Sequence, residues 1–148
     1  MATASPELEI AARLRLAVTR LARRLRQQSA DGLTPSQTSA LASIERHVAL
    51  TPSELAAIER IQRPTATRVL TGLEQAGLVA RAPDPIDRRV VRVTVTRAGA
   101  TVLKRGRQRK NAYLARHLRR LEPDELETLA RAAELIERLI LEGEARPR

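Results

Sequence analysis

Apolar residues recur at intervals of three and four near the start of the chain. Over residues 7 to 29 they include Ala11, Leu14, Val18, Leu21 and Leu25, and arginines occupy many of the positions between them. Residues three and four apart lie on one face of an α-helix, so this spacing is typical of an amphipathic helix. The pattern therefore predicts a first helix with an apolar seam.

Two later segments, GLTPSQTSAL and LTPSELAAI, begin with the same helix-start signal. In the first, Thr34 is the expected N-cap and Gln37 its reciprocal partner in a capping box, with a helix over residues 35 to about 47. In the second, Thr51 and Glu54 take the same two roles. A proline at the first helical position supports both assignments. The sequence after each signal diverges, so the two segments are not an internal repeat.

The helix after the second signal is predicted to be short, ending near residue 59 or 60. Its expected apolar contacts are Leu55, Ala56 and Ile58. A fourth helix is predicted to have Pro64 in its first turn and to end at Gly77. Two short helices with a tight connection are typical of a helix-turn-helix, whose second member is the recognition helix.

A hairpin and two helices are predicted to complete the chain. LVARA and RVVRVTVT are expected strands, and PDPID joins them with residues that favour a turn. A long helix follows from residue 98 to about 120. The last helix is acidic, and its apolar stripe contains Leu126, Leu129, Ala133, Ile136 and Ile140. The predicted fold is therefore mainly α with a small β-hairpin, in the α+β class, and its 148 residues are about one domain's worth.

The net charge of +10 is concentrated in one part of the chain. Residues 60 to 109 contain twelve Arg or Lys residues and three acidic residues, a net charge of +9. Such a segment favours a polyanionic partner, because each neutralised phosphate releases condensed counterions. The alternative is a solvated surface, which usually mixes the two signs more evenly. The charge distribution therefore favours nucleic acid.

Several classes of function lack their usual sequence signals. The chain has no cysteine, and its two histidines, His47 and His117, lie far apart. There is no glycine-rich phosphate loop and no pair of carboxylates in an apolar setting. We therefore expect no catalytic residues, no metal site and no cofactor. No apolar stretch approaches the roughly 20 residues of a membrane span, and the N-terminus lacks a signal pattern, so a soluble cytoplasmic protein without membrane contact is expected.

The segment DPIDRRVVRVTVTRAG and the order of elements resemble the multiple-antibiotic-resistance-regulator (MarR) family of bacterial transcription factors. The most specific part is Asp87-Arg88-Arg89, which is followed by Val91, Val93, Val95, Thr96 and Gly99. The similarity extends over roughly residues 7 to 142. It implies a homodimer in which the first and last helices of each subunit intertwine. Each winged helix-turn-helix would then bind one half of a near-palindromic site in double-stranded DNA.

The resemblance also implies which residues contact DNA. On the recognition helix, the major-groove surface and its entry comprise Gln62, Arg63, Pro64, Thr65, Thr67 and Arg68. In the wing, Arg89 would enter the minor groove, Asp87 would orient it, and Arg88 would contact a phosphate. A guanidinium suits this position because it loses less hydration than an ammonium in a narrow groove. The structural alternatives are a surface ion pair for Asp87 with Arg89 and a capping role for Thr65.

The predicted function is a sequence-specific, dimeric transcriptional regulator, with repression as the expected mode. The winged helix-turn-helix would span residues 34–97, and residues 1–33 and 98–148 would form one helical dimerisation region. The alternative is an architectural DNA- or RNA-binding protein without base selectivity. Tyr113 is the chain's one aromatic residue, which argues against an aromatic-lined effector pocket. A small-molecule effector of unknown identity stays open, with no site assigned.

Overall fold

The computed structural model describes residues 5–29 and 31–144. Its elements follow in the order α1 (Pro6–Gln27), α2 (Pro35–His47), α3 (Pro52–Glu59), α4 (Arg63–Gln75), β1 (Val79–Pro83), β2 (Val91–Val95), α5 (Arg97–Leu118) and α6 (Pro123–Glu144). The mainly helical fold with one antiparallel hairpin confirms the predicted fold class. The chain divides into two compact units at Lys110 and Asn111, inside α5.

Both predicted capping boxes are present. Thr34 Oγ1 accepts the backbone N–H of Gln37 at 3.2 Å, and Gln37 Oε1 accepts the backbone N–H of Thr34 at 2.9 Å. The corresponding distances for Thr51 and Glu54 are 3.1 and 2.8 Å. These bonds satisfy N–H groups that have no partner inside the helix, which explains why α2 and α3 begin where they do.

The core of the first unit lies between α2, α3, α4 and the hairpin. Its fully buried large side chains are Leu41, Ile44, Leu55, Leu70, Leu73 and Val93. The helix-turn-helix is thus packed on α2 and on β2, and its position is fixed by apolar contacts from both sides.

Ile58, which was expected to supply an apolar contact, is 40% exposed and does not belong to the buried core. Glu59 faces α2 in its place. Its carboxylate accepts hydrogen bonds from the hydroxyls of Ser39 at 2.6 Å and Ser43 at 2.5 Å. The last turn of α3 is therefore held to α2 by polar contacts, while Leu55 and Ala56 supply the apolar ones.

The hairpin follows α4 directly. Gly77 has a φ of 71°, and the N–H of Leu78 bonds to the carbonyl of Leu73 at 2.9 Å, which ends the helix and turns the chain into β1. Val79 pairs with Val95 at the base of the hairpin, and Pro83 pairs with Val91 near its tip. The antiparallel arrangement places residues 84–90 at the tip of a wing.

The terminal helices leave apolar side chains exposed. No residue of α1 is buried, and Leu14 and Leu21 are 38% and 43% exposed. On α6, Leu129 and Ile140 are 47% and 56% exposed. Within residues 5–29 and 31–144 no helix is both long enough and apolar enough to cross a membrane. Each terminal helix therefore presents an apolar face that its own compact unit does not cover.

Candidate nucleic-acid interface

The helix α4 presents a continuous polar surface to solvent. Its core-facing residues, Ala66, Leu70 and Leu73, are buried. The residues between and before them are exposed, and these are the predicted ones: Gln62, Arg63, Pro64, Thr65, Thr67 and Arg68. Because the apolar side of α4 is used by the core, the opposite side is free to contact a ligand.

The hydroxyls near the start of α4 do not cap it. Gln62 occupies the N-cap position, and no side chain of the described residues caps the helix by a hydrogen bond, so the capping alternative for Thr65 has no support. The carbonyl of Thr67 accepts a hydrogen bond from the hydroxyl of Thr71 at 2.9 Å. An exposed helix start carrying Arg63 and uncapped N–H groups is favourable for an anion, because the helix dipole is positive there.

The tip of the wing holds one guanidinium close to a carboxylate. Asp87 Oδ1 accepts the backbone N–H of Arg89 at 3.1 Å and its Nε–H at 3.2 Å. The Arg89 side chain is nevertheless 92% exposed. Asp87 therefore restrains the guanidinium near its stem and leaves its outer N–H groups free to donate to a ligand.

The structure brings the start of α4 and the wing tip together. Arg63 and Arg89 border one cleft, whose other walls are residues 51–53 at the start of α3 and residues 90–91 of the wing. Arg68 and Arg88 are exposed but lie outside the walls of this cleft. The two arms of the predicted site thus form one surface.

The basic residues of this region are not all available to a ligand. Arg81 Nε lies 2.9 Å from a carboxylate oxygen of Glu74, and Arg107 donates to Glu45 at 2.7 Å. Arg92 and Arg109 also pair with carboxylates. Among the residues that the structure describes, the basic side chains of this segment without an ion pair are Arg60, Arg63, Arg68, Arg88, Arg97, Lys104 and Arg105. The unpaired charge is concentrated at α4, the wing tip and the first half of α5.

Known proteins share this arrangement. The model of the MarR family matches residues 33–91. An HTH-type transcriptional regulator of Mycobacterium leprae is 39% identical over 138 residues, which are 93% of this chain and 96% of that protein. The chain belongs to the MarR family. It is a DNA-binding transcriptional regulator, as the resemblance implied.

Two further comparisons cover most of the chain. The HTH-type transcriptional repressor MdtR of Bacillus subtilis is 31% identical over 102 residues, 69% of this chain and 66% of that protein. A crystal structure of a protein from Pseudomonas aeruginosa PA01 aligns with a TM-score of 0.84 and 36% identity, covering 93% of this chain and 98% of that one. The similarity therefore includes the terminal helices as well as the winged helix-turn-helix.

The role of Asp84 in this MarR wing was not predicted from the sequence. Its largely buried carboxylate pairs with Arg92, and Oδ1 accepts the N–H groups of Ile86 at 2.8 Å and Asp87 at 3.0 Å. The hydrogen bond from Arg92, followed by those from the two backbone N–H groups, lowers the pKa of Asp84 from 3.8 to about 2. Bonds from a carboxylate to N–H groups two and three residues later define an Asx turn, which the DPID segment could have indicated.

Proposed function

We propose that this MarR-family chain is a homodimeric repressor that binds a near-palindromic operator in double-stranded DNA, in the cytoplasm. Residues 34–97 form the DNA-binding region in this proposal, and residues 1–33 and 98–148 form the helical dimerisation region. The observation that carries it is the single surface shared by α4 and the wing, on which Arg63 and Arg89 border one cleft. An elongated basic surface with two arms suits adjacent grooves of a duplex.

In this proposal α4 reads bases in the major groove. Arg68 is exposed and unpaired among the described residues, so its guanidinium can donate two hydrogen bonds to one guanine. The exposed Thr65 and Thr67 can contact a thymine methyl group or a base acceptor. Gln62, Arg63 and Pro64 lie at the entry of this surface.

The wing supplies a second kind of recognition. Arg89 is proposed to enter the minor groove, where A·T-rich steps narrow the groove and strengthen its negative potential. Asp87 reduces the conformational freedom that Arg89 would lose on binding, because it already holds the Nε–H. The neighbouring exposed Arg88 is proposed to contact a phosphate.

The terminal helices are proposed to join the two subunits. Their exposed apolar faces would be covered by a second copy. Their charges are also complementary, since α1 contains six arginines and two glutamates, whereas α6 contains seven acidic residues and two arginines. Pairing of α1 with α6 of a second copy would therefore be favoured over pairing of like helices.

A matched pair of variants tests the dimer. Leu14→Glu places a charge in the apolar seam of α1, whereas Leu16→Glu places it two residues further, on the opposite side of the helix. The two side chains have similar exposure, 38% and 45%. In sedimentation experiments Leu14→Glu is expected to dissociate the dimer and Leu16→Glu to leave it intact. A wild-type monomer, or equal dissociation by both variants, would contradict the proposal.

Repression is proposed because a bound dimer would exclude other proteins from the same stretch of duplex. The relative from Bacillus subtilis is named a repressor. In a reconstituted transcription assay, adding the protein to a template that carries its operator upstream of the start site should lower transcript yield. A higher yield would indicate an activator.

The DNA-binding roles are tested by varying the two arms separately. The operator is first obtained by sequencing duplexes retained at physiological salt, and competition titrations then use operators changed either in the core or in the flanks. Arg68→Ala is expected to cost roughly 1–3 kcal/mol and to relax the choice at one base position per half-site. Arg89→Ala is expected to weaken binding most when the flanks are A·T-rich, with Asp87→Ala acting similarly but more mildly.

The same titrations identify the competing function. If Arg68→Ala and Arg89→Ala each weaken binding to the operator and to random duplex equally, both residues are general phosphate contacts. The chain would then be an architectural DNA-binding protein, since specific binders exceed their own non-specific affinity by factors of about a thousand or more.

A small-molecule effector is proposed to bind in the first compact unit. A cavity of about 490 Å³ is lined by residues of the segment after α1, of α2 and of α5, and Ser29 Oγ is buried there without a hydrogen-bond partner in the described part of the chain. Asp31 and Glu45 are paired with arginines, whereas Lys110 has no ion pair among the described residues, so a small organic anion is the expected class. Thermal-shift titration with such acids, compared with Lys110→Met, would test this site.

A further inference from the structure

We propose that Arg92 is a positioning residue, which together with Asp84 and Glu54 holds the wing against the helix-turn-helix and so controls DNA recognition without touching DNA. The inference rests on the proposed role of the wing as a minor-groove contact. Arg92 lies in the basic segment of residues 60 to 109, and its charge alone would predict one more phosphate contact.

Arg92 contacts carboxylates from two different elements. Its Nε–H donates to Asp84 Oδ2 in the wing turn, and its Nη1 lies 3.4 Å from Glu54 Oε2 at the start of α3. The Arg92 side chain is 36% exposed, compared with 92% for Arg89. Because two carboxylates already neutralise its charge and it is less exposed than Arg89, Arg92 attracts a phosphate less strongly than Arg89 does.

The contact with Asp84 leads directly to the wing tip. Asp84 Oδ1 accepts the N–H of Asp87 at 3.0 Å, and Asp87 Oδ1 accepts the Nε–H of Arg89 at 3.2 Å. The Asp84 side chain is only 12% exposed. A continuous set of hydrogen bonds therefore joins Arg92 to the guanidinium that is proposed to enter the minor groove.

The contact with Glu54 leads to the helix-turn-helix. Glu54 Oε2 also accepts the backbone N–H of Thr51 at 2.8 Å in the capping box of α3. Beside it, Leu50 and Val93 exchange two backbone hydrogen bonds of 3.0 and 2.8 Å, so β2 is tied to the residue before the cap. Arg92 thus reinforces a junction whose backbone is already fixed.

Loss of the ion pairs of Arg92 should change how the wing tip is positioned. Without the guanidinium, Asp84 and Glu54 would be two carboxylates facing each other with no cation between them, and their repulsion would move the wing turn away from α3. Arg89 would then reach its groove less often. The contribution of the flanks to operator affinity would fall, while base reading by α4 would be retained.

One substitution should change DNA affinity in opposite directions under this role and under long-range electrostatics alone. Asp84→Asn removes a negative charge beside a DNA-binding wing, so long-range attraction alone predicts tighter binding. The asparagine oxygen can still accept the backbone N–H groups, but it no longer forms an ion pair with Arg92. We expect binding to an operator with A·T-rich flanks to weaken on the order of tenfold. The flank preference, which is the ratio of affinities for operators with A·T-rich and with G·C-rich flanks, should shrink.

The matched control removes a carboxylate from α4, outside the junction of Arg92 with Asp84 and Glu54. Glu74→Gln abolishes the ion pair with Arg81, between α4 and β1, with the same change of charge. We expect its affinity to be unchanged or slightly higher and its flank preference to be retained. Circular dichroism at the assay temperature checks that each variant is folded.

Salt dependence provides a second measurement that a phosphate contact would alter. Arg92→Gln is expected to reduce flank preference but to leave the slope of log K against log salt unchanged, whereas loss of a phosphate contact lowers the slope by about one. Arg92→Lys should behave like Arg92→Gln, because a lysine could replace a phosphate contact but cannot bridge two carboxylates with a planar fork.

Several outcomes would overturn the inference. Asp84→Asn binding as tightly as the wild type, or a slope lowered by one in Arg92→Gln, would make Arg92 a DNA contact or a bystander. If Asp84→Asn failed to fold, Arg92→Lys would be the deciding variant. A wild-type flank preference in Arg92→Lys would contradict the proposed positioning role of Arg92. The proposed minor-groove role of Arg89 has its own criterion, because it fails when Arg89→Ala leaves flank preference unchanged.

Discussion

The hydroxyl of Thr96 donates a hydrogen bond of 2.7 Å to the carbonyl oxygen of Gly77. The same hydroxyl oxygen accepts the backbone N–H of Gly99 at 3.1 Å, where it caps the start of α5. The end of the recognition helix and the start of the long helix are therefore joined through one side chain, on the two sides of the hairpin.

Thr96→Val should destabilise the protein by about 1–2 kcal/mol, because it removes an N-cap and leaves the Gly77 carbonyl without this donor. The measurement is urea unfolding at one fixed protein concentration, which matters for a chain expected to dimerise. Thr96→Ser keeps the hydroxyl and should lose much less. Equal losses in the two variants would show that the methyl group, not the hydroxyl, stabilises this junction.

Gly99→Ala should cost about 3 kcal/mol, near the upper end of the range for an overpacked site. A Cβ at this position would lie 2.2 Å from the carbonyl oxygen of Leu78, a backbone atom that cannot move without displacing β1. Gly143→Ala is the control, since no atom of residues 5–29 or 31–144 lies within 4 Å of its added Cβ and alanine favours helix. A Gly99→Ala protein as stable as the wild type would mean that α5 can shift away from the hairpin.

Val48→Gly should stabilise the protein by about 1 kcal/mol. Val48 has a φ of 69° and a ψ of −51°, and the N–H of Ala49 bonds to the carbonyl of His47 at 2.7 Å, which defines a strained γ-turn. Its side chain is 77% exposed, so little burial is lost. Val48→Ala keeps the positive φ and should gain less. Destabilisation by glycine would show that chain entropy outweighs the strain.

The contribution of Asp84 to stability should disappear in acid. Its pKa is lowered from 3.8 to about 2 in the folded chain, so the folded state favours the ionised carboxylate and this stabilisation is present above pH 4. It should be lost as the pH falls towards 2. Thermal unfolding of wild type and Asp84→Asn should therefore differ at pH 7 and converge near pH 2. A difference that persists in acid would exclude the charged form of Asp84 as its cause.

Local signals made much of the fold predictable. Thr34 and Thr51 each interact with a residue three positions later, so their capping boxes can be identified within a four-residue window. The orientation of the last turn of α3 could not be identified in this way. Glu59 faces α2 because Ser39 and Ser43 are there to donate hydrogen bonds, and this depends on packing between helices.

The candidate site also combines a contact between neighbouring residues, which was predicted, with contacts between distant residues, which were not. Asp87 and Arg89 are two residues apart, and their contact was implied by the family resemblance. The partners of Arg107 and Arg109 lie 62 and 78 residues away, so a count of basic residues could not reveal that these guanidiniums are already neutralised. Charge density along a chain indicates the kind of ligand, but the fold determines which of the charges the ligand can reach.

The capping boxes and the Arg92 junction also differ in when they can form during folding. A capping box closes over four residues, whereas the contact between Arg92 and Glu54 joins positions 38 residues apart and requires a larger loss of chain entropy. We therefore expect α2 and α3 to form early and the wing to dock late. The element proposed to enter the minor groove would then be the first to detach in brief excursions from the native state, measurable as faster amide exchange at Val93, whose N–H bonds to Leu50, than in α2.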